Sequence, residues 1–162
     1  MKRTVMVLAA LAVLVAGATA LTPAAAAEDL PFKARVAGNA HLSPTDDPNV
    51  VRNEETGEGQ ATHLGAFDWS TVEYANFAVV PGGVAVVGSF TLTAADGDEL
   101  HGVHATIGLF DVNGDLILHG HFTLVGGTGR FADASGSGAL DAVASLGPGL
   151  PFEGTLVGTI DY

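Results

Sequence analysis

The sequence predicts an all-β fold, a single antiparallel barrel of about eight strands in meander order. Beyond an apolar N-terminal stretch, apolar and polar residues alternate with a period of two, which is typical of strands with one buried face. Asp-Gly and Asn-Gly pairs separate several of these stretches, and both favour tight hairpins. No helix is predicted that would cover such a sheet, so closure into a barrel would hide its edges. A two-sheet β-sandwich is the alternative, because alternation alone does not separate the two architectures.

The N-terminal residues have the pattern of a secretory signal peptide. A basic start is followed by an uncharged apolar stretch over residues 5–16 and then by small residues. Cleavage is expected after Ala20 or within residues 24–27, which assigns residues 1–27 to the signal and 28–162 to one domain. The apolar stretch is shorter than the roughly 20 residues of a membrane span. We therefore expect a secreted protein, extracellular or periplasmic, with no membrane partner after cleavage.

The mature chain is predicted to be strongly acidic. Removal of the signal leaves four Lys and Arg residues against 18 Asp and Glu, a formal net charge of −14. Nucleic acid and anionic lipid are bound through many Lys or Arg contacts, so we expect neither as a partner. The chain has no cysteine, which excludes disulfides, a thiol nucleophile and thiolate metal sites.

Five strands are predicted in the second half of the chain from their alternation. They span residues 83–93, 100–110, 116–125, 139–146 and 152–160. Phe90 and Phe122 fall on the apolar faces of the first and third of these strands. In the strand 100–110 the apolar face carries Ile107, and His104 falls on the opposite face.

The first half of the mature chain is less regular. Strands are predicted over residues 32–40, 59–67 and 71–80, with Trp69 between the last two. Residues 41–57 are rich in Pro, Asp, Asn and Glu and are predicted as a polar loop.

Three segments carry a resemblance to a known family. Residues 61–65 are ATHLG, residues 95–100 are ADGDEL, and residues 126–138 are GGTGRFADASGSG. With these in order behind a signal peptide, the chain resembles secreted proteins that have an allene oxide cyclase barrel-like domain, to which plant dirigent proteins are more distantly related. The resemblance implies an eight-stranded antiparallel barrel with a largely apolar lumen. It implies cyclisation or radical coupling of apolar molecules in some members, while many secreted bacterial members have no established activity. No segment matches the plant cyclase's active-site pattern, so no catalytic residue is transferred.

The glycine-rich segment 126–138 does not match a phosphate-binding loop, because it lacks the lysine of that motif and is not followed by a predicted helix. We predict a tight connection between strands whose glycines adopt positive φ. Arg130 is expected to stabilise it through an ion pair with Asp133 or another acidic side chain.

Three histidines were considered as metal ligands, because zinc needs three or four converging side chains. A two-residue turn at residues 113–114 would pair His104 with Thr123. His121 is then a diagonal neighbour of His104, and His119 lies farther away. We therefore predict no metal site and no cofactor.

Acid–base catalysis would need a carboxyl group or a histidine inside an apolar pocket that shifts its pKa. Most acidic residues lie in predicted turns. Glu73, Asp141 and Glu153 are the exceptions, on predicted strands.

We expect the lumen to bind a small apolar molecule. The candidate ligand-binding residues are Trp69, Tyr74, Phe90, Phe110, Phe122 and Phe152. Phe110 fits this role only if the strand end bulges, since strict alternation puts it on the face of His104.

One alternative is a cyclase or isomerase that acts on an unsaturated or aromatic substrate without a covalent nucleophile. The other is a structural or surface-interaction protein with a filled lumen. A polar group in the lumen would favour the cyclase, and a ligand cavity should reach about 300 Å³. No segment predicts an oligomer interface.

Overall fold

The computed structural model describes residues 29–162, which form a closed antiparallel β-barrel. Its eight strands are β1 (Leu30–Pro44), β2 (Val50–Ala61), β3 (Gly65–Asn76), β4 (Gly83–Ala94), β5 (Glu99–Phe110), β6 (Leu116–Gly127), β7 (Ser135–Ala144) and β8 (Pro151–Asp161). Each strand pairs with the next along the chain, and β8 pairs with β1. The predicted barrel is therefore confirmed and the sandwich is wrong.

The expected signal peptide, residues 1–27, lies outside the described residues. Across residues 29–162, no helix has the length and apolar character needed to cross a membrane.

The first half of the barrel departs from the prediction. Residues 41–57, predicted as a loop, contain the end of β1 and the first part of β2, and the strand predicted over 59–67 contains the turn between β2 and β3. Trp69, expected between strands, lies within β3. Alternation did not reveal β2 because its inward positions carry Asn53, Glu55 and two glycines in place of apolar side chains.

One end of the barrel is closed by a dense apolar core. Its most deeply buried inward side chains, each 2% exposed or less, are Phe32, Ala34, Phe90, Leu92, Leu100, Phe122, Leu124, Leu156 and Ile160. A one-turn 3-10 helix, Gly129–Phe131, adds the fully buried ring of Phe131 to the same core. This end of the lumen therefore offers no route for solvent.

The segments ADGDEL and GGTGRFADASGSG contact each other at this closed end. Arg130 pairs through Nη1 with Asp96 Oδ2 at 3.1 Å, and its backbone N–H donates to Asp98 Oδ2 at 3.1 Å. Arg130 thus forms ion pairs with Asp96 and, through Nε at 3.9 Å, with Asp98, and none with Asp133. Gly129 has a φ of +55°, and the Asp98 carboxylate occupies the place where a Cβ at Gly129 would lie. The short turn therefore needs glycine at this position.

The ATHLG segment joins the same end through its histidine. His63 donates from Nε2 to the Pro31 carbonyl at 3.0 Å and accepts at Nδ1 from the Tyr162 hydroxyl at 3.2 Å. The Tyr162 ring in turn packs on Phe131, with ring centroids 5.1 Å apart. All three segments that carry the family resemblance thus hold the closed end of the barrel together.

The opposite end of the barrel holds a smaller buried apolar cluster, formed by Ala75, Val84, Val86, Leu116 and Leu118, and is less well filled along β1 and β7. Ala40, Ala142 and Ala144 occupy inward positions there and are only partly buried, and Leu42 is 42% exposed. Small side chains at inward positions leave this end of the lumen accessible to solvent. A molecule that enters the lumen would enter here.

Candidate functional site

Four of the predicted ligand-binding residues lie together in the lumen. Trp69, Phe90, Phe122 and Phe152 point inward, and each is 5% exposed or less. The rings of Trp69 and Phe90 stack with centroids 5.1 Å apart, and Phe122 meets Phe90 edge to face at 6.5 Å. The aromatic pattern of the sequence therefore located the lumen correctly.

Tyr74 and Phe110 are not part of this group. Tyr74 is 46% exposed on the outer face of β3, because it stands an odd number of residues from the inward-facing Trp69. Phe110 ends β5 and is 41% exposed, so it does not reach the lumen cavity. Both placements in the predicted binding site were wrong.

The turn between β5 and β6 is longer than predicted and changes the pairing of the two strands. It is closed by the N–H of Asp111, which donates to the carbonyl of Asp115 at 2.8 Å, so three residues lie at its tip. His104 consequently pairs with Phe122 and not with Thr123. A change of one residue in register moves a side chain to the other face relative to the neighbouring strand. His104 therefore shares the inner face with Phe122.

This register separates the histidines that were considered as metal ligands. His104 lies in the lumen with its side chain 5% exposed, whereas His119 and His121 are exposed on the outer face. The three side chains do not converge. The same register puts Ile107, which was assigned to the apolar face, 48% exposed on the outside.

A row of directly paired residues carries polar groups across the lumen. Asn53 on β2 pairs with Glu73 on β3, Glu73 pairs with Gly88 on β4, and Gly88 pairs with His104 on β5. Because Gly88 has no side chain, His104 reaches across β4 and places Nε2 3.1 Å from Glu73 Oε2. Nδ2 of Asn53 donates to Glu73 Oε1 at 2.7 Å. The Glu73 side chain is 10% exposed, so this contact is largely shielded from water.

Glu55 is the second acidic group of the lumen. It accepts hydrogen bonds from Nδ2 of Asn53 at 3.2 Å and from Nε1 of Trp69 at 3.3 Å. Burial first, and then the charge of Glu73, raise the pKa of Glu55 to about 8. Glu55 therefore holds a proton at neutral pH and can give it up slightly above neutral pH. A carboxyl group with this property in an apolar enclosure is a candidate acid–base group.

Several buried polar atoms beside these carboxyl groups have no protein partner. Among residues 29–162, the unpartnered buried atoms are Asn53 Oδ1, both ring nitrogens of His104 and Thr106 Oγ1. Although Nε2 of His104 lies near Glu73, it is not aligned for a hydrogen bond. Buried polar atoms normally have partners, and each atom without one is a place where water or a ligand group gains a hydrogen bond.

A cavity of about 40 Å³ is lined by two of these residues, His104 and Thr106. Its polar lining comes from Glu55, Glu73, His104 and Thr106, and its apolar lining includes Trp69, Leu118, Ala142, Ala144 and Phe152. This volume admits about one group of the size of water, and a ligand site for a drug-sized molecule needs roughly 300 Å³. A larger molecule therefore has to extend from the cavity toward the open end of the barrel.

A larger groove of about 770 Å³ lies on the outer face, where β6, β7, β8, β1 and β2 meet. It contains an ion pair of His119 Nδ1 with Asp141 Oδ1 at 2.7 Å, and both side chains are more than half exposed at 70% and 61%. Charged groups in contact with solvent are screened and keep their hydration. Despite its size, this groove is therefore a weaker candidate for chemistry than the lumen.

Most of the polar lumen site is not evident from the sequence. Of the three acidic residues on predicted strands, Glu73 faces the lumen, while Asp141 and Glu153 are exposed outside. Asn53 and Glu55 were missed because they lay in a segment predicted as a loop. The available signal was the spacing of Glu73 from Trp69, which is even and puts both on one face.

No family model matches the chain, and no curated protein or solved structure matches it. The likeness to allene oxide cyclase barrel-like proteins rests on the three sequence segments and stays a prediction.

Proposed function

We propose that this protein binds a small molecule in the lumen of its barrel, in the extracellular or periplasmic space that the expected signal peptide implies. The observation that carries the proposal is the set of unpartnered polar atoms on His104 and Thr106, two residues that line a cavity inside the barrel. Such atoms cost stability unless another molecule satisfies them. A site that is used for binding accounts for their presence.

The ligand has a polar head and an apolar body. The cavity of about 40 Å³ accepts the head, because its polar lining comes from Glu55, Glu73, His104 and Thr106. The body extends past Ala142 and Ala144, whose small inward side chains leave space at the open end. A wholly apolar ligand, as expected from the sequence, would leave the polar atoms unsatisfied.

Ala144→Phe is expected to abolish binding, because the ring would fill the lumen next to the cavity. Val143→Phe is the matched control, since Val143 lies on the same strand and is 44% exposed on the outer face. Native mass spectrometry of each protein, purified from its own host, is the measurement. We expect a bound small molecule on the wild type and on Val143→Phe, and none on Ala144→Phe. A wild-type protein that carries no bound molecule would support the filled, structural lumen instead.

A second candidate function is an isomerase or cyclase, favoured by the pKa of about 8 at Glu55 beside Glu73. A protonated carboxyl group beside a second carboxyl group provides a donor and an acceptor for proton transfer. Glu55→Gln is then expected to reduce turnover of the copurified molecule or its precursor at least ~100-fold while binding persists. Chromatography of substrate and product after incubation is the measurement. Equal turnover by the variant and the wild type would exclude Glu55 as the proton donor.

A further inference from the structure

The lumen site has more hydrogen-bond acceptors than donors. The four carboxyl oxygens of Glu55 and Glu73, Oδ1 of Asn53 and Oγ1 of Thr106 are acceptors. Asn53 Nδ2 and Trp69 Nε1 already donate to the carboxyl groups, and the two donors without a partner are the ring N–H of His104 and the hydroxyl of Thr106. A proton on Glu55 adds one donor and leaves the surplus of acceptors. A ligand head that completes the site therefore has to donate hydrogen bonds, and an ionised carboxylate head has none to donate.

The charged groups of the lumen also favour a ligand head that donates hydrogen bonds, and specifically a cationic head. The described part of the chain has four Lys and Arg residues, all on the outer face: Lys33, Arg35, Arg52 and Arg130. His104 is the one group within residues 29–162 that can bring a positive charge to Glu73 in the lumen. An anionic head would meet like charge in a shielded environment, whereas a cationic head would meet opposite charge.

The size of the cavity narrows the choice of head. A volume of about 40 Å³ fits a single ammonium group, which is similar in size to water and carries three donors in a primary amine. Trp69 forms part of the same wall, and aromatic rings attract cations. Beyond the cavity the lining is apolar, with Leu118, Ala142 and Ala144 leading to the open end.

We propose that the ligand is a primary amine with an apolar tail, its ammonium head in the cavity beside Glu73, His104 and Thr106. This inference rests on the proposed binding function and names the chemical class of the ligand. The head supplies donors to Glu73 and to the unpartnered oxygen of Thr106, both of which line the cavity. The tail lies along the apolar wall toward the open end of the barrel.

The test compares three probes that share one alkyl chain: hexylamine, hexanol and hexanoate. Their dissociation constants for the full mature protein are measured by isothermal titration calorimetry at neutral pH. We expect hexylamine to bind at least ~10-fold more tightly than hexanol, and hexanoate to bind more weakly than either, because one charged hydrogen bond is worth about that factor.

Two variants show whether the amine occupies the lumen. Glu73→Gln keeps the shape of the side chain and removes its charge, so it should weaken hexylamine at least ~10-fold and hexanol by less than ~3-fold. Thr106→Val keeps the shape of a side chain that lines the cavity and removes its hydroxyl, so it is the second lumen variant in case Glu73→Gln fails to fold, and it should weaken hexylamine at least ~3-fold. Glu58→Gln, on the exposed outer face of β2, removes an equal charge and should leave hexylamine binding unchanged.

Each outcome decides the inference. Hexanol or hexanoate binding as tightly as hexylamine would overturn the amine assignment and leave lumen binding in place. Equal losses for Glu58→Gln and Glu73→Gln, together with loss of binding at high salt, would show that the amine binds the acidic surface, and would overturn the assignment too. Binding of none of the three probes, with no molecule copurified, would contradict both the amine assignment and the proposed function.

Discussion

Replacing Glu55 by glutamine is expected to remove a loss of stability that the wild-type protein suffers as pH rises. The pKa of Glu55 is raised from its ordinary value of 4.5 to about 8, first by burial and then by the charge of Glu73. Between these two values the folded protein keeps a proton on Glu55 that the unfolded chain has released. The folded state therefore binds more protons, and its stability falls as pH rises through this range.

The expected slope for this one group is at most about 1.4 kcal/mol per pH unit between pH 4.5 and about 8. Below this range both states hold the proton, and above it both have released it, so the contribution of Glu55 becomes constant. Glutamine has no proton to release, so Glu55→Gln removes this slope. Because part of the side chain meets solvent, the measured slope should lie below the upper limit.

Urea unfolding at a series of pH values from about 4 to 9 measures this effect. At each pH the free energy of unfolding of the wild type is subtracted from that of the variant. The difference cancels the contributions of all groups that the substitution leaves unchanged. Glu58→Gln is the matched control, since this side chain lies on the outer face of the same strand. A constant difference between Glu55→Gln and the wild type across the range would show that Glu55 ionises normally and would remove its role as a proton donor.

The barrel could be predicted from the sequence because most of its inward positions are apolar. Phe90, Leu92 and Phe122 alternate with polar residues, so a period of two revealed their strands and the apolar core at the closed end. The turn at residues 113–114 marked a hairpin but not its length. Since the extra residue at that tip decides which face His104 occupies, the fold was predictable while the face of its most important histidine was not.

The polar site could not be recognised from the sequence because its inward-facing residues are themselves polar. A strand whose inward positions hold Asn53 and Glu55 lacks the apolar alternation by which strands are found, so β2 resembled a loop. The contact of His104 with Glu73 depends on strands that are two apart in the sheet, and only the full register shows that Gly88 separates them. Local sequence patterns carry no information about such a distance. Functional groups inside a barrel break the pattern that reveals the barrel.

Replacing Gly88 by alanine is expected to destabilise the barrel and to separate Glu73 from His104. A Cβ at Gly88 would collide with Cβ of Glu73 and would lie 2.7 Å from the backbone carbonyl oxygen of Val72. Backbone atoms held in a paired strand move little, so the collision forces β3 and β4 apart at this point. We expect a loss of about 1–3 kcal/mol in the free energy of unfolding, as for other overpacked interiors.

Gly88→Ala should also disrupt the lumen site, because it separates His104 from Glu73. The His104 ring reaches Glu73 across the space that Gly88 leaves free, so a methyl group there removes the contact between Nε2 and Oε2, which is 3.1 Å in the wild type. Urea unfolding gives the stability, and the side-chain NMR signals of His104 report the contact. Gly147→Ala is the control, because a Cβ there meets its nearest neighbour at 3.4 Å and should change stability by less than about 0.5 kcal/mol. If Gly88→Ala leaves both the stability and the His104 signals unchanged, the register that joins Asn53, Glu73 and His104 is wrong, and the lumen site falls with it.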